Sequence, residues 1–255
     1  MADLRARDMI DVAQAWGVGD IAALNARFFN STPQVVLRHV LADQEMGRIG
    51  LISSFGAESA VLLALIAEIA PATPVLFLET GKHFPETLAY RDTLVERLEL
   101  TDVRTIAPDP VELAAKDARG ERWSYDPDGC CALRKVVPLV TAQANFDTLL
   151  TGRKGFQADT RAALPRFEVD RSDSTAKLKV NPLIAWSKVD LDDYFTRHAL
   201  PRHPLEAQGY LSIGCAPCTS KVQPGEDPRA GRWRGSDKLE CGIHVPPSTT
   251  APITG

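Results

Sequence analysis

Nowhere does an apolar run approach the ~20 residues that cross a bilayer. The longest, AVLLALIAEIA at 60–70, is the length of a buried helix, so a membrane span is excluded. Nor do the first residues join a basic flank to an apolar run and a cleavage site, which argues against a secretory leader and sets the cytoplasm as the expected compartment. Positive charge is not in surplus. With 29 Lys and Arg against 33 Asp and Glu, the net charge of −4 speaks against wholesale binding of nucleic acid or anionic membrane. Internal repeats are missing, as are a convincing linker and both common phosphate-loop signatures, G-x-x-x-x-G-K-[ST] and G-x-G-x-x-G. Cysteine is scarce, at five residues. In a cytosolic chain, metal binding or thiol chemistry comes before disulfide staples as the reason to keep them.

What is there reads as one large core or two modest ones, from 255 residues of which 44% are hydrophobic. RIGLISSF (48–55) has the look of a buried strand, residues 57–70 repeat Val61, Leu62, Leu65, Ile66 and Ile69 at helical spacing, and VLFLET (75–80) is again a strand. A helix is expected from Pro85, which suits a first turn, then a strand at 103–108, a helix from about 111 and a strand at 148–152. Ser187 and Asp190 have capping-box spacing, predicting a helix over 187–200. This β-then-α order predicts an α/β fold with a mostly parallel sheet flanked by helices. Residues 1–45 read as an N-terminal helical segment, 46–220 as the α/β domain, 221–244 as a mobile C-terminal segment, and 245–255, rich in Pro, Ser and Thr, as a disordered tail.

Ligands of open parallel sheets lie beyond the carboxyl ends of the strands, which directs attention to the loops SSFGAES (53–59), ETGKH (79–83) and TGRKGFQADTR (151–161). The first is small and polar and feeds a helix whose N–H groups could hold a phosphate, although a tight strand-to-helix turn would look the same. Cys130 and Cys131 are adjacent and followed by Arg134 and Lys135. Neighbouring cysteines rarely bridge each other, because the ring they would close strains both peptide and disulfide. Cys215 and Cys218 form a C-x-x-C turn, which alone suits a redox dithiol, a zinc half-site or a cluster half-site. Adjacent cysteines crowd one small ion, whereas the irons of a cluster are separate attachment points; the spacing favours a cluster and leaves zinc open. Cys241 ends a basic segment carrying Lys221, Arg229, Arg232, Arg234 and Lys238. Such surroundings favour the thiolate, the nucleophilic form, while a lone cysteine near a tail can equally be inert.

Taken together, the Cys130-Cys131 pair with Arg134-Lys135, the C-x-x-C that follows after 83 intervening residues, Gly231-Arg232-Trp233 and Glu240-Cys241-Gly242-Ile243-His244 resemble the assimilatory adenylyl-sulfate reductases of bacteria, over roughly residues 45–244. The resemblance implies a PP-loop adenine-nucleotide fold and a [4Fe–4S] cluster on Cys130, Cys131, Cys215 and Cys218. It implies Cys241 as the nucleophile that displaces AMP from adenosine 5'-phosphosulfate, and thioredoxin, or a glutaredoxin-like reductant, as the partner that then frees sulfite for sulfate assimilation and cysteine biosynthesis. Carried over by motif, Ser53, Ser54 and Gly56 would line the nucleotide pocket; Thr80, Gly152, Arg153 and Arg161 would flank adenine and ribose; Lys135, Arg229 and Arg232 would face the phosphosulfate, with His244 beside them. Nucleic acid and membrane are not expected as partners, and a homo-oligomer stays open.

Three rival readings remain at this level. Reductases of the 3'-phosphorylated substrate usually lack the four cluster cysteines that this chain has, yet some cluster-bearing relatives accept both substrates. A PP-loop tRNA-thiolating enzyme would join a similar fold to cysteines but would show S-G-G-x-D-S, where this chain reads Ser54-Phe55-Gly56-Ala57-Glu58-Ser59. A zinc-binding interaction module would need no Cys241.

Overall fold

Aliphatic runs bounded by turn residues become the inner strands of a single sheet. In the computed structural model, which describes residues 16–157, 159–170 and 177–244, these are β1 (Ile49–Ser53), β2 (Val75–Leu78) and β4 (Thr148–Thr151). Every residue of β2 and β4 is buried, as parallel strands covered on both faces require. β3 (Val103–Ile106), β5 (Phe167–Asp170) and β6 (Lys177–Val180) complete the order β3-β2-β1-β4-β6-β5, all parallel except β5, which runs antiparallel to β6.

Around the sheet lie α1 (Val18–Arg27), α2 (Pro33–Ala42), α3 (Ser59–Ile69), α4 (Pro85–Arg97), α5 (Pro110–Lys116), α6 (Pro127–Cys131), α7 (Val137–Gln143), α8 (Asp159–Ala162) and α9 (Lys188–Arg197). Prolines open α2, α4, α5 and α6, where a missing N–H costs nothing, and α9 carries the Ser187–Asp190 capping box. α3 is buried over Ala60–Ile66, so its apolar residues run round the whole helix rather than along one stripe. Trp16, Phe28, Val36 and Leu37 share one core with Phe55, Phe77 and Phe167, which ties the described part of the N-terminal segment to the sheet. The expectations for residues 1–15 and for the tail at 245–255 fall outside the described residues.

The edge pair β5–β6 is absent from the sequence-based expectation. Its strands read FEVD and KLKV, charged enough to hide the apolar alternation. The charges are neutralised in place: Lys179 and Asp170 pair at 2.9 Å with both side chains buried. Among the described residues no helix is long and apolar enough to cross a membrane.

β1 has β2 on one side and β4 on the other, so the chain leaves their carboxyl ends in opposite directions and opens a crevice between them. The loops after β1 and β4 face each other across it.

Candidate active site

A cavity of about 350 Å³ occupies that crevice. Ser53, Ser54, Gly56 and Glu58 line it from the loop after β1; Gly152, Arg153, Lys154, Gln157 and Arg161 from the segment after β4; and Arg229, Arg232, Cys241 and His244 from the C-terminal segment, with Lys135 joining from below α6. Of the residues predicted to bind substrate, all but Thr80 line this one cavity. The loop after β1 turns through Phe55, a non-glycine residue at φ 47° held by burial and by its edge against the Phe77 ring. α3 then begins without a side-chain cap, which leaves first-turn N–H groups for an anion.

Cations outnumber anions around the cavity. Lys135, Arg153, Lys154, Arg161, Lys188, Arg229 and Arg232 face Glu58, Glu206 and Glu240. Lys154 pairs with Glu58 at 2.9 Å, and Gln157 donates to the same carboxylate at 2.8 Å. Arg153 reaches Asn181 Oδ1 at 3.1 Å and pairs with Glu168, and burial pulls its pKa down to about 10. Burial, with Arg153, Lys179 and Arg161 nearby, pushes the His244 imidazole well below its ordinary pKa, so it stands neutral with Nδ1 unpaired. Arg232 stacks 4.4 Å from the centre of the Trp233 ring. Sequence reasoning gave no role to Glu58, Lys154, Gln157, Lys188 and Glu240, although Glu58, Lys154 and Gln157 sit inside loops already singled out and Glu240 belongs to the motif around Cys241.

A second, much smaller cavity lies behind the first, lined by Cys130, Cys131, Cys215 and Cys218 together with Lys82, Arg134, Lys135, Arg232 and Trp233. Lys135, Arg232 and Trp233 line both, forming the wall between them. The cysteine pair ends α6, where Gly129 lets the Asp126 carboxylate and the Arg122 guanidinium lie close against the helix backbone; a Cβ there would displace both side-chain ends. Directly after it the helix widens into a π turn over Ala132–Val136, where Pro138 has no N–H to offer the Arg134 carbonyl.

Buried Arg134 fixes this turn, donating to Asp117 Oδ2 at 2.7 Å and to the Thr80 carbonyl at 2.7 Å. Burial pushes the Asp117 carboxyl up, but the Arg134 bond, the Arg122 N–H and the charges of Arg134 and Lys82 together hold the group below its ordinary value. The C-x-x-C turn docks on the loop after β2, with Ala216 N–H donating to the Lys82 carbonyl at 2.7 Å. Thr80, expected beside adenine or ribose, is instead fully buried here. Its hydroxyl meets Cys215 Sγ at 3.3 Å and accepts from Lys82 N–H at 3.2 Å, which turns it away from the larger cavity.

Burial raises the Cys130 and Cys218 thiols and pushes Cys131 up to about 11. Burial and Arg232 pull the Lys135 ammonium down, but the charges of Cys215, Cys241 and Cys131 together raise it above its ordinary value, so it keeps its proton. Among the described residues no three His, Cys, Asp or Glu side chains converge to hold a single metal ion. The donor set of the small cavity is sulfur only, from two segments, inside a ring of cations. It fits a thiolate-ligated group with several attachment points and net negative charge.

Residues 48–221 match the family described as the phosphoadenosine phosphosulfate reductase domain. A Mesorhizobium japonicum protein named adenosine 5'-phosphosulfate reductase is 47% identical over 245 residues, 96% of this chain and 95% of its own. A Chelativorans protein of the same name is 42% identical over 224 residues, 88% of this chain and 90% of its own. The fold is similar to the crystal structure of Candida auris phosphoadenylyl-sulfate reductase in its phosphate complex, with a TM-score of 0.69 and 26% identity, covering 82% of this chain and 100% of that one. Candida glabrata FMN adenylyltransferase, at a TM-score of 0.52 and 14% identity over 84% of this chain and 74% of that one, shares the fold alone.

Proposed function

This chain belongs to the phosphoadenosine phosphosulfate reductase family, and from that premise we propose that it reduces adenosine 5'-phosphosulfate to sulfite and AMP, the substrate in the names of its relatives at 42–47% identity. The observation that carries this reading is the position of Cys241 on a cation-lined cavity at the sheet's switch point, one side-chain layer from four further cysteines.

Attack of a thiolate on the sulfur of a phosphosulfate brings like charges together, each unit pair costing about 4 kcal/mol at ~4 Å and an effective dielectric of ~20. Lys135, Arg229 and Arg232 would offset that cost, and the uncapped start of α3 with Ser53, Ser54 and Gly56 would seat the nucleotide. In the first step the Cys241 sulfur bonds to the substrate sulfur while the bond to the phosphate oxygen breaks, and AMP leaves with the electron pair. A thioredoxin thiolate then attacks Cys241 Sγ, sulfite departs, and the partner's second thiol resolves the mixed disulfide, so the two electrons come from the thioredoxin dithiol. Cys130, Cys131, Cys215 and Cys218 would hold a [4Fe–4S] cluster, whose bound charge would fix the field felt by Lys135.

Reduced enzyme mixed with adenosine 5'-phosphosulfate, without thioredoxin, should release one AMP per active chain and gain one sulfonate, mapped to Cys241 by peptide mass. Cys241→Ser should form no adduct while keeping its iron and its affinity for AMP. An adduct on another cysteine, or undiminished sulfite from Cys241→Ser, would remove Cys241 from the mechanism.

A further inference from the structure

The residue before the nucleophile makes contacts that nothing in the proposed chemistry requires. Arg161 grips Glu240 with two bonds, Nε to Oε1 and Nη2 to Oε2, both 3.0 Å. Arg229 adds a third contact at 3.2 Å to Oε2 and donates to the Leu239 carbonyl at 2.9 Å. Arg161 is itself braced by Gln157 at 2.7 Å, and Gln157 by Glu58 at 2.8 Å, so the grip is anchored in the loops after β4 and β1. The three side chains are 13%, 24% and 17% exposed, too enclosed to be discounted as a solvent-screened surface pair, and a two-bond guanidinium–carboxylate geometry is among the stronger ones.

On the other side of Cys241 the chain turns at Gly242, with φ +86°, and Ile243 packs against the cluster of Ile52, Leu76, Leu78 and Leu139. That anchor lies beyond a glycine about which the chain can turn, and Lys238, buried against Asp128, holds the chain three residues before Cys241. Glu240 supplies the fixed point directly beside the nucleophile's own residue.

We propose that Glu240 is a positioning residue, a carboxylate latch whose pairing with Arg161 and Arg229 holds Cys241 over the cavity for attack. The proposal rests on Cys241 being the nucleophile, but the latch itself is a property of the resting enzyme and is measurable without substrate. Two fixed points flanking one residue restrict where its sulfur travels, and misplacement of a reacting atom by an ångström costs up to about a hundredfold in rate.

The test uses the iron-loaded enzyme and its Glu240→Gln and Glu240→Ala variants. Alkylation of Cys241 by neutral iodoacetamide, followed by peptide mass without nucleotide, should be at least about threefold faster in both variants. Single-turnover sulfonation of Cys241 should fall about tenfold in both variants while AMP affinity is not weakened, a split that general loss of structure would not give. Alkylation and sulfonation rates within twofold of wild type in Glu240→Ala would overturn the latch. Absence of any adduct in the wild type would instead defeat the reductase reading, and the alkylation comparison would still decide whether Glu240 holds the segment.

Discussion

Lys135 stands in the wall between two sets of thiols, with Cys215 on one side and Cys241 on the other. Its ammonium lies between both sets, in the wall it shares with Arg232. Lys135→Ala should therefore slow Cys241 sulfonation by about a hundredfold, the range seen when one preorganised charge is removed from a reacting centre. Arg229→Ala and Arg232→Ala should also slow it, and visible absorbance should persist in all three. Arg234→Ala is the control, because Arg234 is exposed, pairs with Glu226 at 2.8 Å and does not line the cavity. Lys238 would be a poor control: its side chain is buried against Asp128. Equal rates for Lys135→Ala and Arg234→Ala would show the first charge to be passive. At this scale the sequence exposed residues whose type announces chemistry, such as five cysteines in a short set of spacings. It hid Glu240, an ordinary acid until the fold sets two arginines around it, and it misdirected Thr80, whose backbone is in the right loop but whose hydroxyl turns toward Cys215.

Between elements, α4 packs against the chain after α9 through Tyr90 to the Pro201 carbonyl, Arg97 to the Ala199 carbonyl and one buried histidine. His203 is 1% exposed, its Nδ1 accepts from Leu205 N–H at 3.2 Å, its Nε2 donates to Thr87 at 3.1 Å, and its ring lies 4.8 Å from Tyr90. Burial pushes its pKa down to about 4. Because the folded state holds the imidazole neutral while the unfolded chain protonates near pH 6.5, the unfolded state binds more protons between those values, and stability falls as pH falls through that window. From pH 7 to pH 5 this group should cost about 2 kcal/mol. His203→Gln, with no proton to bind, should be less stable at pH 7 but lose about 2 kcal/mol less than wild type on acidification, read by urea unfolding at the two pH values. Identical pH slopes would contradict the assignment. Elements with one clear period were legible: β1, β2, β4, α3, α4 and the Ser187 cap all follow from apolar spacing and turn residues. β5 and β6 were not, since their charged residues find partners only in the fold, Lys179 with Asp170 and Glu168 with Arg153. The π turn after Cys131 was equally hidden, its cause being a proline that has no N–H to give the carbonyl four residues before it.

Across the whole molecule, the two cavities depend on segments far apart in the chain. The Cys130–Cys131 end of α6 and the 215–218 turn meet only because both dock on the loop after β2, through Arg134 to the Thr80 carbonyl and through Ala216 to the Lys82 carbonyl. A group bridging the four thiols would therefore cross-link those two segments beside the wall of Lys135, Arg232 and Trp233, while the mostly parallel sheet, whose core contains none of those cysteines, would stand without it. Anaerobically purified protein should thus be brown, with about four irons and four sulfides per chain. Replacing any one of Cys130, Cys131, Cys215 or Cys218 by Ser should bleach it and abolish sulfonation of Cys241, yet leave the far-ultraviolet circular dichroism close to wild type. Iron chelation of the wild type should reproduce that pairing of lost activity with retained secondary structure. One zinc per colourless chain would exclude the cluster. Global unfolding on loss of iron would refute the separation argued here, in which the sheet is self-sufficient and only the wall of the active cavity depends on the four thiols.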